Sequence, residues 1–263
     1  MPSLCGEKPA STSERYKARV LGSPWYVLLS VGAIIASALV WDRFFKQRPE
    51  RRDGRLILVY LVALVSAFVG AKLVFLLAEG WHRREDWLAL LSGRSVTGAL
   101  LFGTLAVEWT KARLGLVTAT GDAFALTVPL AIAIGRVGCV AAGCCPGVEC
   151  EQSWWTMADA HGHARVPSAA IELGFNLVFL GWALAATRFG WQPTQRFNIY
   201  LIAYGAFRFV HEYWRDDHRW FDDFGGYHAA ALALVVLGAW MYRRRRRLNS
   251  TARADHAPAP VTA

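Results

Sequence analysis

The sequence predicts an all-α polytopic membrane protein of about seven transmembrane helices, with its N-terminus outside and its C-terminus in the cytoplasm. Three observations carry that expectation. Apolar residues come in long runs rather than amphipathic stripes. Basic residues gather in alternate loops, as the positive-inside rule requires. The few charges inside the runs fall mostly at one depth. A chain that is 54% hydrophobic, with 12 tryptophans, fits that class.

The first run, Trp25 to Trp41, carries no charge, and the second, Leu56 to Ala78, carries only Lys72. Crossing the hydrocarbon core takes roughly 17 to 25 apolar residues, which both supply. Ser95–Val107, Val117–Gly135, Ser168–Thr187, Phe197–Trp214 and Tyr227–Tyr242 add five more runs, the first and last of these being short. Short amphipathic core helices of a soluble protein would mimic only part of this pattern. Three segments follow: a polar N-terminal tail over 1–24, a seven-helix membrane domain over 25–242, and a basic, disordered cytoplasmic tail over 243–263. The Ala-Pro-Thr composition from Asn249 onward underlies the disorder expected there. No cleavable signal peptide is expected, and Cys5 reads as a lone tail cysteine.

The net charge of +9 raises a nucleic-acid reading, which its distribution excludes. Arg43, Lys46, Arg48, Arg51, Arg52 and Arg55 fill the first loop, and Arg243 to Arg247 follow the last run. Lys111 with Arg113, and Arg188 with Arg196, occupy two further loops of the same side. These positions belong beside anionic headgroups rather than on nucleic acid. Lys8, Arg15, Lys17 and Arg19 in the N-terminal tail oppose the orientation and are outnumbered.

Ionisable residues inside spans are functional candidates by default. Here they are Lys72, Asp122, Arg136, Glu172, Arg208 and Glu212. With the topology above, all but Asp122 converge on the outer leaflet. Arg208 and Glu212, four residues apart, share a helix face with Tyr204, and Arg215 follows about one turn later. Arg136 arrives at the same depth as Arg208, and two planar guanidiniums suit a phosphate between them. An internal ion pair that only helps the helix insert is the plainer reading of Arg208 and Glu212. Lys72 is expected to snorkel to the outer headgroups. Trp81, Trp87, Trp154, Trp155 and Trp220 are expected in the outer aromatic belt. His161 and His163 read as solvated, and Asp216, Asp217, Asp222 and Asp223 as an ordinary outer loop.

The most specific stretch runs from Ile134 to Gly147 and contains Gly135, Arg136, Gly138, Cys139, Gly143, Cys144 and Cys145, with Cys150 just beyond. Its glycines are expected to break the helix and offer backbone donors to an oxyanion beside the arginine. Four roles stay open for the cysteines: a disulfide of Cys144 or Cys145 with Cys150, close packing, a nucleophile, or a metal site. Their spacing departs from that of ordinary zinc sites. No metal and no cofactor is expected.

These residues resemble a known family, the bacterial prolipoprotein diacylglyceryl transferases. Gly135-Arg136-x-Gly138 is similar to the family signature, and Trp25-Tyr26 opens the first span as there. Gly93 to Gly98 resembles the family's glycine-rich lead-in to the third span. Arg165 to Glu172 resembles its Pro-Ser-Gln-Leu-Tyr-Glu segment, and Tyr204 to Glu212 its Tyr-Gly…Arg…Glu helix. The resemblance covers Trp25 to Tyr242 and implies seven spans with the N-terminus outside, in the bacterial inner membrane. It implies an enzyme of lipoprotein biosynthesis that moves diacylglyceryl from phosphatidylglycerol to the thiol of a lipobox cysteine. Its partners would then be phosphatidylglycerol, prolipoprotein signal peptides and membrane lipids. On the same basis Arg208 and Glu212 are the expected catalytic residues. Arg136, Gly135, Gly138, Tyr26 and Glu172 are the expected substrate-binding residues.

This chain departs from the pattern at several polar positions. Cys139 stands where the family has asparagine, Cys144 where it has glutamate, and Thr97 where it has histidine. Ala169, Ala170 and Ile171 replace Gln-Leu-Tyr. The cations for a phosphate are kept while polar partners are lost. Two alternatives therefore stand beside the main reading: a related headgroup transferase with another acceptor, and a non-enzymatic lipid-binding or redox protein using the cysteines.

Overall fold

The structure is a computed structural model that describes residues 24–45, 54–83, 85, 87–116, 120–141, 143, 145, 147–158, 162–221 and 223–255. Lys46 to Arg52, Cys5, Cys144, His161, Asp222 and the basic residues of the N-terminal tail lie outside the described residues.

Among the described residues the long helices are α1 (Pro24–Phe45), α2 (Gly54–Ala78), α4 (Val96–Arg113), α5 (Gly121–Ala141), α6 (Ser168–Phe189), α7 (Arg196–His211) and α8 (Gly226–Asp255). A short helix α3 (Trp87–Ser92) and a two-stranded hairpin, β1 (Met157–Ala158) with β2 (Ala164–Arg165), sit in the connections. The apolar runs of the sequence thus map onto helices in order. By length and composition α2, α5 and α6 are apolar enough to cross a membrane. α4 is more polar and contains Glu108, Lys111 and Arg113 in its last two turns.

Two boundaries differ from expectation. The third run continues to Arg113, because its charged end forms two more helical turns. The last helix passes Tyr242 and runs through the arginines to Asp255, so the residues after Asn249 begin as helix rather than as disordered tail. Arginine and alanine are good helix formers, and cations near a helix C-terminus oppose no dipole.

The helices associate through small residues, as expected where lipid supplies no hydrophobic drive between them. Gly70 of α2 and Gly98 of α4 face each other. A Cβ on Gly70 would meet Phe102 and stand 2.7 Å from the Gly98 carbonyl oxygen. The pairs α1–α5, α5–α6 and α7–α8 complete the bundle. Its centre is aromatic: Tyr200, Tyr204, Leu201 and Leu234 are fully buried, with Phe175 stacked on Phe207. Leu61, Leu64, Val65 and Phe68 on α2 face outward, as a lipid-facing surface requires.

At one end Asp122 accepts from Arg196 at 3.0 Å and from the Thr194 backbone at 2.9 Å. That pair sits apart from the other intraspan charges, as its depth in the sequence suggested. Lys72 does not snorkel. Its Nζ bonds the Leu90 carbonyl oxygen and approaches that of Gly93 at 3.3 Å, tying α2 to the connection before α4. Trp81, Trp87, Trp154, Trp155 and Trp220 are all exposed. His163 is exposed beside Glu149 at 3.4 Å. Cys150 is a free thiol, so the disulfide, one of the four roles left open for the cysteines, is not the arrangement seen here.

Candidate functional site

Residues from α5, α6, α7 and the loop after α7 meet in one buried ion cluster. Glu172 enters one turn into α6 and is fully buried. Its Oε2 lies 2.8 Å from Arg136 Nη2 and 3.6 Å from Arg208 Nη1. Its Oε1 accepts from the Tyr204 hydroxyl at 2.8 Å. Tyr204 and Arg208 stand four residues apart on α7, so both address the same carboxylate. This part of α6 is anchored in turn by Asn176, which donates to the Glu172 carbonyl oxygen and accepts from Tyr200, both at 2.8 Å.

Arg208 is held from three sides. Besides Glu172 it donates to Glu212 Oε2 at 2.6 Å and contacts His211 Nδ1 at 3.1 Å. A guanidinium only donates, so Nδ1 accepts, the proton resides on Nε2, and Nε2 faces Ser168 Oγ at 3.2 Å. The helix ends at His211, and Glu212–Trp214 continue as a single 3₁₀ turn. Arg215 is therefore extended rather than one turn further along α7. It donates to Asp217 at 2.6 Å, and its buried Nη1 has no hydrogen-bond acceptor. Burial pushes the Asp217 carboxyl up, but the Arg215 charge and hydrogen bonds outweigh it and hold the group at about 2. Asp217 is thus a working member of the cluster, while Asp216 lies outside it against Arg165 at 3.2 Å.

A cavity of about 880 Å³ opens beside the cluster. Gly135, Arg136, Cys139, Cys145 and Arg94 line it at this end. Arg136 is the cluster member that faces it; Glu172, Arg208 and Glu212 stand behind. The clamp expected from two guanidiniums is therefore filled by Glu172, and one arginine presents itself to the cavity. Gly135 and Gly138 do not break the helix, since α5 runs on to Ala141. Glycine permits a break without requiring one, and an added Cβ on Gly135 would meet only open space. The left-handed backbone comes later, at Gly143 and Cys145. Cys139 Sγ is 3.8 Å from Arg136 Nη1. Tyr26 belongs to α1, and its side chain lies outside the described residues.

Thr97, at the position of the expected histidine, is buried and pairs with Ser95 Oγ at 2.7 Å, where Ser95 caps α4. His211, Arg94 and Asp217 were not picked as site residues from sequence. A lone histidine beside a glutamate has no diagnostic spacing, and Arg94 and Asp217 look like loop charges. The one available signal was that Arg94 belongs to the glycine-rich lead-in.

The comparisons agree on one family. The profile of the prolipoprotein diacylglyceryl transferase family matches residues 20–251. The phosphatidylglycerol–prolipoprotein diacylglyceryl transferase of Dehalococcoides mccartyi is 26% identical, over 85% of this chain and 90% of its own. That of Symbiobacterium thermophilum is 28% identical, over 84% and 89%. The second such enzyme of Clostridium perfringens is 24% identical, over 73% and 78%. The chain belongs to the prolipoprotein diacylglyceryl transferase family.

Proposed function

We infer that this family member is a diacylglyceryl transferase of the bacterial inner membrane, spanning it seven times with its N-terminus outside. Its donor is phosphatidylglycerol and its acceptor the lipobox cysteine thiol of a prolipoprotein signal peptide. The sulfur attacks the glyceryl carbon, the bond from that carbon to the phosphate oxygen breaks, and glycerol phosphate leaves. A thioether forms and the thiol proton is lost to a base.

The observation that carries this reading is Arg136, a guanidinium at the wall of a lipid-sized apolar cavity, backed by a buried carboxylate. In this reading it receives the phosphodiester, with Arg94 in the same cavity lining as a further donor. Gly135 keeps that wall of α5 low, Gly138 is buried on the same helix outside the lining, and Glu172 orients Arg136. Tyr26, at the start of α1, is the remaining donor-binding candidate. Arg208 lies deeper and stabilises negative charge on the departing phosphate through the network, in a low-dielectric site where such a charge counts most. Glu212, the carboxylate paired with Arg208, is the proton acceptor of the cluster in this reading.

A second reading has an observation behind it. The Thr97–Ser95 hydroxyl pair replaces an imidazole, which favours a headgroup transferase with a different acceptor. The test is transfer of labelled diacylglyceryl from phosphatidylglycerol to a lipobox peptide by the purified full chain. Transfer that vanishes in Arg136→Ala supports the first reading. Arg136-dependent lipid binding without transfer supports the second, and neither binding nor transfer would remove both.

A further inference from the structure

The cavity beside Arg136 has a second charged end. On α4 its lining runs from Val96 to Ala112, about 24 Å of helix axis at roughly 1.5 Å per residue. That is most of the hydrocarbon thickness of a bilayer. The far mouth is formed by Glu108 and Lys111 of α4 with Arg244 and Arg245 of α8. Among the described residues, three cations line this mouth beside one carboxylate, Glu108. Lys111 Nζ lies 3.5 Å from Glu108 and Arg244 3.9 Å from it. The Lys111 side chain is only 7% exposed, so it is a buried ammonium with one long ionic contact. Thr194 also lines the cavity near this end, and its buried Oγ1 has no hydrogen-bond partner. An ordinary positive-inside loop would leave its lysines in water. This one places a lysine inside the cavity wall with surplus positive charge and a spare hydroxyl.

We propose that this mouth, built from Lys111, Arg244 and Arg245 around Glu108, is a second phosphate-recognition point, at which an anionic phospholipid of the cytoplasmic leaflet enters the cavity. The apolar walls between the two mouths select a lipid over a free phosphate: they take acyl chains, while the cations take the headgroup. The α4 geometry then gives one continuous path from the inner mouth to Arg136. The leaflet assignment and the use of the lipid as donor rest on the proposed function. The headgroup contact at the mouth does not.

The experiment is photocrosslinking of the full chain in nanodiscs, using phosphatidylglycerol with a diazirine on its headgroup glycerol. Crosslinks are mapped by mass spectrometry, with glycerol phosphate as soluble competitor. Crosslinked peptides are expected at the far mouth, around Lys111 and Arg244, as well as around Arg136. Glycerol phosphate at matched concentration is expected to leave the inner crosslinks in place. Replacing Lys111, Arg244 and Arg245 together by glutamine is expected to abolish the inner crosslinks. The same change is expected to raise KM for phosphatidylglycerol at least about fivefold while kcat holds. Arg243→Gln with Arg246→Gln, whose side chains are exposed and away from the cavity, serves as the control and should do neither. Crosslinks confined to the Arg136 end, or displacement by glycerol phosphate alone, would overturn the proposal without any variant having to fold. Inner crosslinks in a chain that transfers no diacylglyceryl would keep the inner mouth and refute the proposed function instead.

Discussion

Glu172→Gln is the sharpest perturbation of the cluster. The side chain is fully buried, with Arg136 at 2.8 Å, Arg208 at 3.6 Å and the Tyr204 hydroxyl at 2.8 Å. At an effective dielectric of about 20, the two ion contacts are worth roughly 6 and 5 kcal/mol before desolvation is subtracted. Glutamine keeps the shape and the Tyr204 hydrogen bond but removes the charge, leaving two buried guanidiniums facing each other. Breaking one side of a buried ion pair costs about 3–5 kcal/mol, a fall of roughly 10 °C in Tm for a chain of this size. The assay is thermal unfolding of the purified protein in detergent, with and without added lipid. Phosphatidylglycerol should recover more stability in Glu172→Gln than in the wild type, because its phosphate supplies the missing negative charge. Diacylglycerol, with the same tails and no phosphate, should not. Unchanged stability in the variant, or equal recovery by diacylglycerol, would refute the reasoning.

The remaining predictions concern single contacts. Tyr204→Phe removes one hydrogen bond to a buried carboxylate and should cost about 2 kcal/mol by the same unfolding assay, less than Glu172→Gln. Gly98→Ala places a methyl against the Gly70 carbonyl and Val74, and should destabilise by about 1–3 kcal/mol, read as a lower Tm with the transfer mechanism intact. Asp217 has a depressed folded-state value, so its contribution is complete above about pH 4 and is lost as pH falls through about 2. Tm measured from pH 5 to pH 2 should therefore drop less steeply in Asp217→Asn than in the wild type. Cys139 lines the cavity beside Arg136, so maleimide should alkylate it and block lipid binding. Phosphatidylglycerol should slow that labelling, measured by mass shift.

Much of the fold was legible because a membrane helix announces itself in one dimension. Each apolar run became a helix, and the charges inside the runs marked the interior. The convergence of Arg136, Glu172, Arg208 and Glu212 followed from depth alone. Order within the cluster did not. Depth says that two arginines are level, but not that Glu172 stands between them or that only Arg136 faces the cavity. Gly135 and Gly138 misled because glycine permits a break without requiring one, and here α5 is continuous. Lys72 misled because snorkelling assumes free headgroups, whereas the chain offers it two carbonyl oxygens nearer by. Asp217 matters through a contact made only after α7 ends and the chain turns, and His211 through its reach across to Ser168 on α6, neither of which a spacing rule encodes.

The most direct test of the central claim is the identity of the small product released when the purified chain modifies a lipobox peptide. The account predicts glycerol phosphate, released one-for-one with a thioether-linked diacylglyceryl peptide and lost in Arg136→Ala. Release of free glycerol with phosphatidyl transfer to the peptide would mean that the phosphorus–oxygen bond is broken instead. That would contradict the role assigned to the arginines.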